Sequence, residues 1–118
     1  MKYLLDTNAV IALVNRRSEP LWRRVRAHVP TEIGLSAVVY HELFYGAFKS
    51  QRLAANLEVV DRLEFEAVEF TKEDAREAGE MRAVLAKAGS PIGPYDVLIA
   101  AQARRRDLIL ITANTEEF

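Results

Sequence analysis

Cysteine is absent from this chain of 118 residues. Disulfides, thiolate metal sites and cysteine nucleophiles are therefore excluded, and a reducing compartment such as the cytoplasm suits the chain. Long apolar runs are absent too, so no stretch reaches the ~20 residues that span a bilayer. The first apolar stretch is interrupted by Asp6 and Asn8 and lacks a small-residue cleavage pattern, so it does not read as a signal peptide. Excess charge of either sign is missing: 16 Lys and Arg face 17 Asp and Glu, for a net charge of -1. That balance argues against a generic basic nucleic-acid binder while leaving room for a local basic patch. Neither a glycine-rich dinucleotide fingerprint nor a P-loop occurs, which disfavours those nucleotide-binding classes. No repeat, low-complexity tract or linker divides the chain, so residues 1–118 are expected to form one domain.

Half of the residues are hydrophobic, enough for a packed core. Leu4-Leu5, 32–36, 65–70 and 108–112 read as short strands. Between them, 9–14, a segment capped by Ser18 and ended by Pro30, 37–50, 51–63, 71–88 and 95–106 read as helices. Asn8 is expected to cap the first and Thr71 to open a capping box, while Pro94 suits the first turn of the last. Strands that alternate with helices, and that are apolar on both faces, predict an α/β fold with a parallel sheet covered on both sides.

Several acids stand where apolar or neutral residues would be cheaper. The strand Leu4-Leu5 ends on Asp6, and the last strand runs into Thr112-Ala113-Asn114-Thr115-Glu116-Glu117. Parallel strands carry their carboxyl ends to one edge of the sheet, where open α/β folds bind ligands. Glu42 lies one helical turn from Val38, Val39, Tyr45 and Gly46, and Asp96 shares a side of its helix with Ile99, Ala100 and Ala103. Each acid alone has a plain structural explanation: Asp6 as a helix cap, Asp96 as a complement to the helix dipole, Glu42 as half of an ion pair. Together they raise a problem. Two carboxylates about 4 Å apart repel by about 4 kcal/mol at an effective dielectric near 20. Several converging in one cleft shift their pKa values or require a cation. Oxygen donors without Cys suit Mg²⁺ or Mn²⁺ rather than Zn²⁺. Carboxylates around such an ion can orient water for attack on a phosphate. Thr7, Asn8, Thr112 and Asn114 are placed to hydrogen-bond water or phosphate oxygens.

The segments LLDTN (4–8), HELFYGAFKS (41–50), PIGPYDVLIAA (91–101) and LILITANTEEF (108–118), in this order and spacing, resemble the PIN-domain family and, within it, VapC-type toxins of bacterial toxin–antitoxin pairs. The resemblance implies a three-layer α/β/α sandwich with a short parallel sheet and an Mg²⁺-dependent endoribonuclease. It places catalytic acids at Asp6, Glu42, Asp96 and Glu117, with Asp6 and Asp96 as the direct metal ligands and Asn114 as a polar auxiliary. It also implies a homodimer, a VapB-type antitoxin whose C-terminal segment fills the acidic groove, and a structured RNA target such as tRNA. VapC-type chains usually continue for a short segment beyond the motif that ends here in Phe118, so either the natural chain is shorter or a short C-terminal segment is lacking here.

Arg16, Arg17, Arg23, Arg24 and Arg26 cluster early and could hold an RNA backbone, although a solvated helix surface would look the same. Arg104, Arg105 and Arg106 are expected to complement the last helix dipole. His28 and His41 are expected at the surface or in packing, and Trp22, Tyr45 and Phe48 in the core or at an interface with a second copy or the antitoxin. A phosphoacceptor domain would need a lysine after a late strand, and 112–118 contains none. A non-catalytic PIN-like partner-binding module is the remaining alternative.

Overall fold

A computed structural model describes residues 1–15, 19–90 and 92–113 of the chain. Its centre is β1 (Tyr3–Leu5), which pairs in parallel with β2 (Ile33–Ser36) on one side and β4 (Ile109–Ile111) on the other. β3 (Glu66–Val68) adds to β2, giving the all-parallel order β3-β2-β1-β4. Leu4, Leu5 and all of β2 are buried, as strands covered on both faces must be.

Among the described residues, six α-helices connect the strands: α1 (Thr7–Val14), α2 (Glu19–Ala27), α3 (Ala37–Lys49), α4 (Leu53–Asp61), α5 (Lys72–Lys87) and α6 (Pro94–Arg105). The chain steps from β1 through β2 to β3, then returns to add β4 on the far side of β1. Right-handed crossovers therefore put α1–α4 on one face and α5–α6 on the other, which is the expected α/β/α sandwich. The core joins Leu4, Leu5, Val10, Leu35, Val39 and Ile99 across these layers. Each such side chain contributes about 1.5–3 kcal/mol by leaving water.

Local chemistry explains most boundaries. Thr71 and Asp74 form the expected capping box of α5, and Pro94 opens α6 behind Gly93. One expectation is corrected. Asn8 does not cap α1: Asp6 does, and the helix begins at Thr7, because the carboxylate already accepts from the Ala9 amide at 2.7 Å. Of the core and interface places open to Tyr45 and Phe48, the core is excluded: each is 61% exposed, because α3 turns that side outward. The proposed Ser18 cap lies outside the described residues.

Arg105 and Arg106 do more than complement the α6 dipole. They form ion pairs with Asp74 at 2.6 and 2.9 Å, and Asp74 is fully buried. Burial alone would raise the Asp74 carboxyl pKa, but hydrogen bonds from Arg106, the Thr71 amide and Arg105 outweigh it and hold the group well below the usual carboxylate range. Gln102, also fully buried, donates to the Glu69 carbonyl at 2.8 Å. This network clamps the start of α5 to the end of α6.

Candidate active site

β1 is where the sheet reverses its direction of growth, since its two neighbours are reached by connections on opposite faces. A cleft is expected just beyond the carboxyl end of such a strand. Asp6 stands there. Its amide donates to the Ile111 carbonyl at 3.0 Å, which carries the β1–β4 ladder one step past the strand. Its Oδ1 caps α1, and among the described residues its carboxylate meets no cation. The side chain is half-buried.

Glu42 reaches the same edge from α3. Ser36, the last residue of the buried β2 run and the cap of α3, starts that helix level with the end of β1. Glu42 sits in the second turn, half-buried, and its Oε1 accepts a 2.9 Å hydrogen bond from Thr7 Oγ1. Thr7 was expected to face water or phosphate; its hydroxyl instead holds the glutamate beside Asp6.

Asp96 arrives from the other face. α6 leads into β4, so its first turn lies at the carboxyl edge of the parallel strands. Its neighbour Tyr95 touches His41, the residue before Glu42, with ring centroids 5.6 Å apart. The Asp96 carboxylate folds back over the start of its own helix. A Cβ built on Gly93 would lie only 2.9 Å from Asp96 Oδ2. Glycine at 93 is thus what leaves the carboxylate its present position. Asp96 itself is exposed.

Asp6, Glu42 and Asp96 therefore share one edge of the sheet, and none has a basic partner among the described residues. Asn8 and Thr112 are exposed at that edge, in the first turn of α1 and just after β4. Glu117 and Asn114 lie outside the described residues. Within the described residues, no three acidic or histidine side chains close around a common point tightly enough to hold a metal ion. The donor chemistry nevertheless fits a hard divalent cation: three carboxylates, no thiolate, and, among the described residues, no arginine or lysine paired with them.

His28 takes the packing role expected of it, with Nδ1 3.0 Å from Glu32 Oε2 and its ring against Tyr3. The place of Tyr95 was not anticipated. The available signal was its position next to Asp96, after a Gly-Pro turn that starts the helix.

Comparison with known proteins agrees with this architecture. The model of the PIN domain matches residues 3–118. The chain belongs to the PIN-domain family. It is 36% identical over 120 residues to a tRNA(fMet)-specific endonuclease VapC of Shigella flexneri, covering all of this chain and 90% of that protein. A Ribonuclease VapC2 of Haemophilus influenzae is 34% identical with the same coverage. Among solved structures, a chain from DNA-bound VapBC of Salmonella typhimurium superposes with a TM-score of 0.91 at 35% identity, over all of this chain and 90% of that one. This PIN domain is thus of the VapC type along its whole described length, and its central strand presents Asp6 as the topology requires.

Proposed function

We propose that this PIN domain is an Mg²⁺-dependent endoribonuclease and the toxin of a VapBC-type pair, acting in the cytoplasm on RNA, with tRNA as the favoured class. The observation that carries the reading is that Asp6, Glu42 and Asp96 share one sheet edge with no compensating cation among the described residues. Names of its relatives support the activity and the pairing.

Asp6 and Asp96 would hold the ion, with Glu117 assigned to act on it through water. When bound, Mg²⁺ supplies the positive charge and Lewis acidity that phosphodiester hydrolysis needs. Glu42, fixed by Thr7, faces the same edge and orients the attacking water by accepting its hydrogen bond. Asn8 and Thr112 donate to phosphate oxygens, and Asn114 is assigned the same auxiliary role. The half-burial of Asp6 and Glu42 lowers the local dielectric and strengthens the interactions these two residues make.

An antitoxin has a suitable place to bind. A groove of about 390 Å³ between α1, α3 and α4 is lined by Val10, Ile11, Val14, Leu43 and Val59 and reaches Glu42. An apolar segment bearing an arginine or lysine fits it, since the cation can pair with the carboxylates. A second copy of the chain is the other expected partner, with the exposed Tyr45 and Phe48 available for it. Among the described residues, no helix is long and apolar enough to cross a membrane.

The test is cleavage of a mixed tRNA substrate by the purified chain in Mg²⁺, in EDTA, and with Asp96→Asn. Cutting should require the metal and disappear in the variant. Equal cutting under all three conditions would overturn the reading. The non-catalytic module draws on the absence of a closed three-ligand cluster among the described residues; it predicts no Mn²⁺ binding by the chain in titration calorimetry.

A further inference from the structure

Tyr95 occupies a position that the proposed chemistry does not use. The residue is 44% exposed although it follows Pro94 in the first turn of a helix whose next residue but one is buried. On one side it meets His41 in a tilted contact, 5.6 Å between centroids and 55° between planes. A tilted contact leaves ring face open that a parallel stack would cover. On another side Tyr95 lines a groove of about 260 Å³ between α5 and α6, with Gly79, Arg82, Pro94 and Leu98.

Three features make this groove suit a nucleotide. Its floor is low because α5 presents Ala75, Ala78 and Gly79 there, and a Cβ at Gly79 would meet nothing within 4 Å. Arg82 at its rim has no carboxylate partner among the described residues, so it is available to a phosphate. Its size is below the ~300 Å³ at which pockets begin to enclose drug-sized ligands, which fits one planar ring system. The groove also adjoins the acidic edge, since Tyr95 and Asp96 are consecutive and His41 precedes Glu42.

We propose that Tyr95, set between His41 and the α5–α6 groove, stacks the base of a nucleotide adjoining the phosphate to be cut, while Arg82 meets the backbone of the same strand. The proposal rests on the ribonuclease reading and adds a base-recognition element to it. Unpaired RNA bases are commonly read by stacking on aromatic rings, and the phosphate contact supplies affinity without sequence information.

Binding can be read without cleavage. A fluorescein-labelled single-stranded RNA is titrated with the full chain in Ca²⁺, and anisotropy gives Kd. Tyr95→Ala should weaken binding on the order of tenfold, and Tyr95→Phe should stay within about twofold of wild type. Gly79→Leu, which fills the groove, should weaken binding by a similar factor, and Arg82→Gln should reduce the salt dependence. An abasic site scanned along the RNA should, at one position, abolish the difference between wild type and Tyr95→Ala. Equal affinity of wild type and Tyr95→Ala would overturn the proposal, as would an effect independent of abasic position or the absence of measurable RNA binding by wild type. Loss of antitoxin capture with RNA affinity intact would overturn it too. Cleavage in Mg²⁺ tests the ribonuclease reading separately, because a chain that stacks RNA through Tyr95 but never cuts it would sink only that reading.

Discussion

Thr7 Oγ1 donates a 2.9 Å hydrogen bond to Glu42 Oε1, joining two helices through residues 35 positions apart in the chain. The bond spends the one hydroxyl proton of Thr7 on the carboxylate, so Glu42 is held in place by the residue that follows Asp6.

Thr7→Val should therefore reduce kcat for RNA cleavage about 10- to 100-fold, the range found when an outer hydrogen-bond partner in a metal site is removed. The cost in stability is only about 0.5–1.5 kcal/mol, the net value of one hydrogen bond. Thr7→Ser should restore the rate. Steady-state kinetics beside thermal melts would check both; an unchanged kcat would remove Thr7 from the positioning role.

Asp6 has two duties, and two substitutions separate them. Asp6→Asn keeps an N-cap acceptor for the Ala9 amide, so melting should hardly change while Mn²⁺ binding and cleavage are lost. Asp6→Ala should lose cleavage as well and cost about 1 kcal/mol for the missing cap. Titration calorimetry with Mn²⁺ and a urea midpoint for each variant suffice.

Gly93→Ala should alter function more than stability. The backbone there, at φ -55° and ψ 143°, is one that alanine adopts without strain. A stiffer unfolded chain favours the variant by about 0.4–1 kcal/mol. Alanine as an N-cap opposes that gain by a similar amount. The new Cβ, however, would press on Asp96 Oδ2 and turn that carboxylate away. Weaker Mn²⁺ binding at near-constant melting temperature is the expected result.

Asp74→Asn should be among the more damaging changes outside the candidate active site. It leaves Arg105 and Arg106 facing a buried neutral amide, at a cost of about 3 kcal/mol. The low end of the usual range applies because those arginine side chains are 33% and 29% exposed. The pH dependence has a definite sign. The folded carboxyl titrates below the unfolded value of 3.8, so its contribution is present above that pH and is lost as acid drives the pH down through the folded value. Wild type should thus lose stability more steeply than Asp74→Asn below about pH 4, and the two urea midpoints should converge.

Much of this was readable in the linear order of residues. Apolar strands interleaved with helices imply a parallel sheet, and parallel strands bring Asp6 and the end of β4 to one edge whatever the side-chain details. Capping chemistry is equally local, which is why the Thr71–Asp74 box and Pro94 could be foreseen. Asp6 as the cap of α1 was harder, because Asn8 is as good a cap by residue type and only the backbone path chooses between them. The partners of Arg105 and Arg106 were out of reach for another reason: Asp74 lies 31 and 32 residues away, and no periodicity encodes which helix face meets which.

The sequence by itself determined the fold class and the absence of thiol chemistry, and it singled out Asp6, Glu42 and Asp96 as candidate site residues, because hydrophobic periodicity and residue chemistry are properties of short segments. Only the tertiary structure decided that Thr7 serves Glu42, that Gly93 makes room for Asp96, and that Tyr95 stands open between His41 and a groove. The Thr7–Glu42 and Tyr95–His41 relationships depend on how packed helices meet, which the summed burial of the whole core sets rather than the residues that touch, while the Gly93–Asp96 contact depends on the side-chain rotamer at the start of α6.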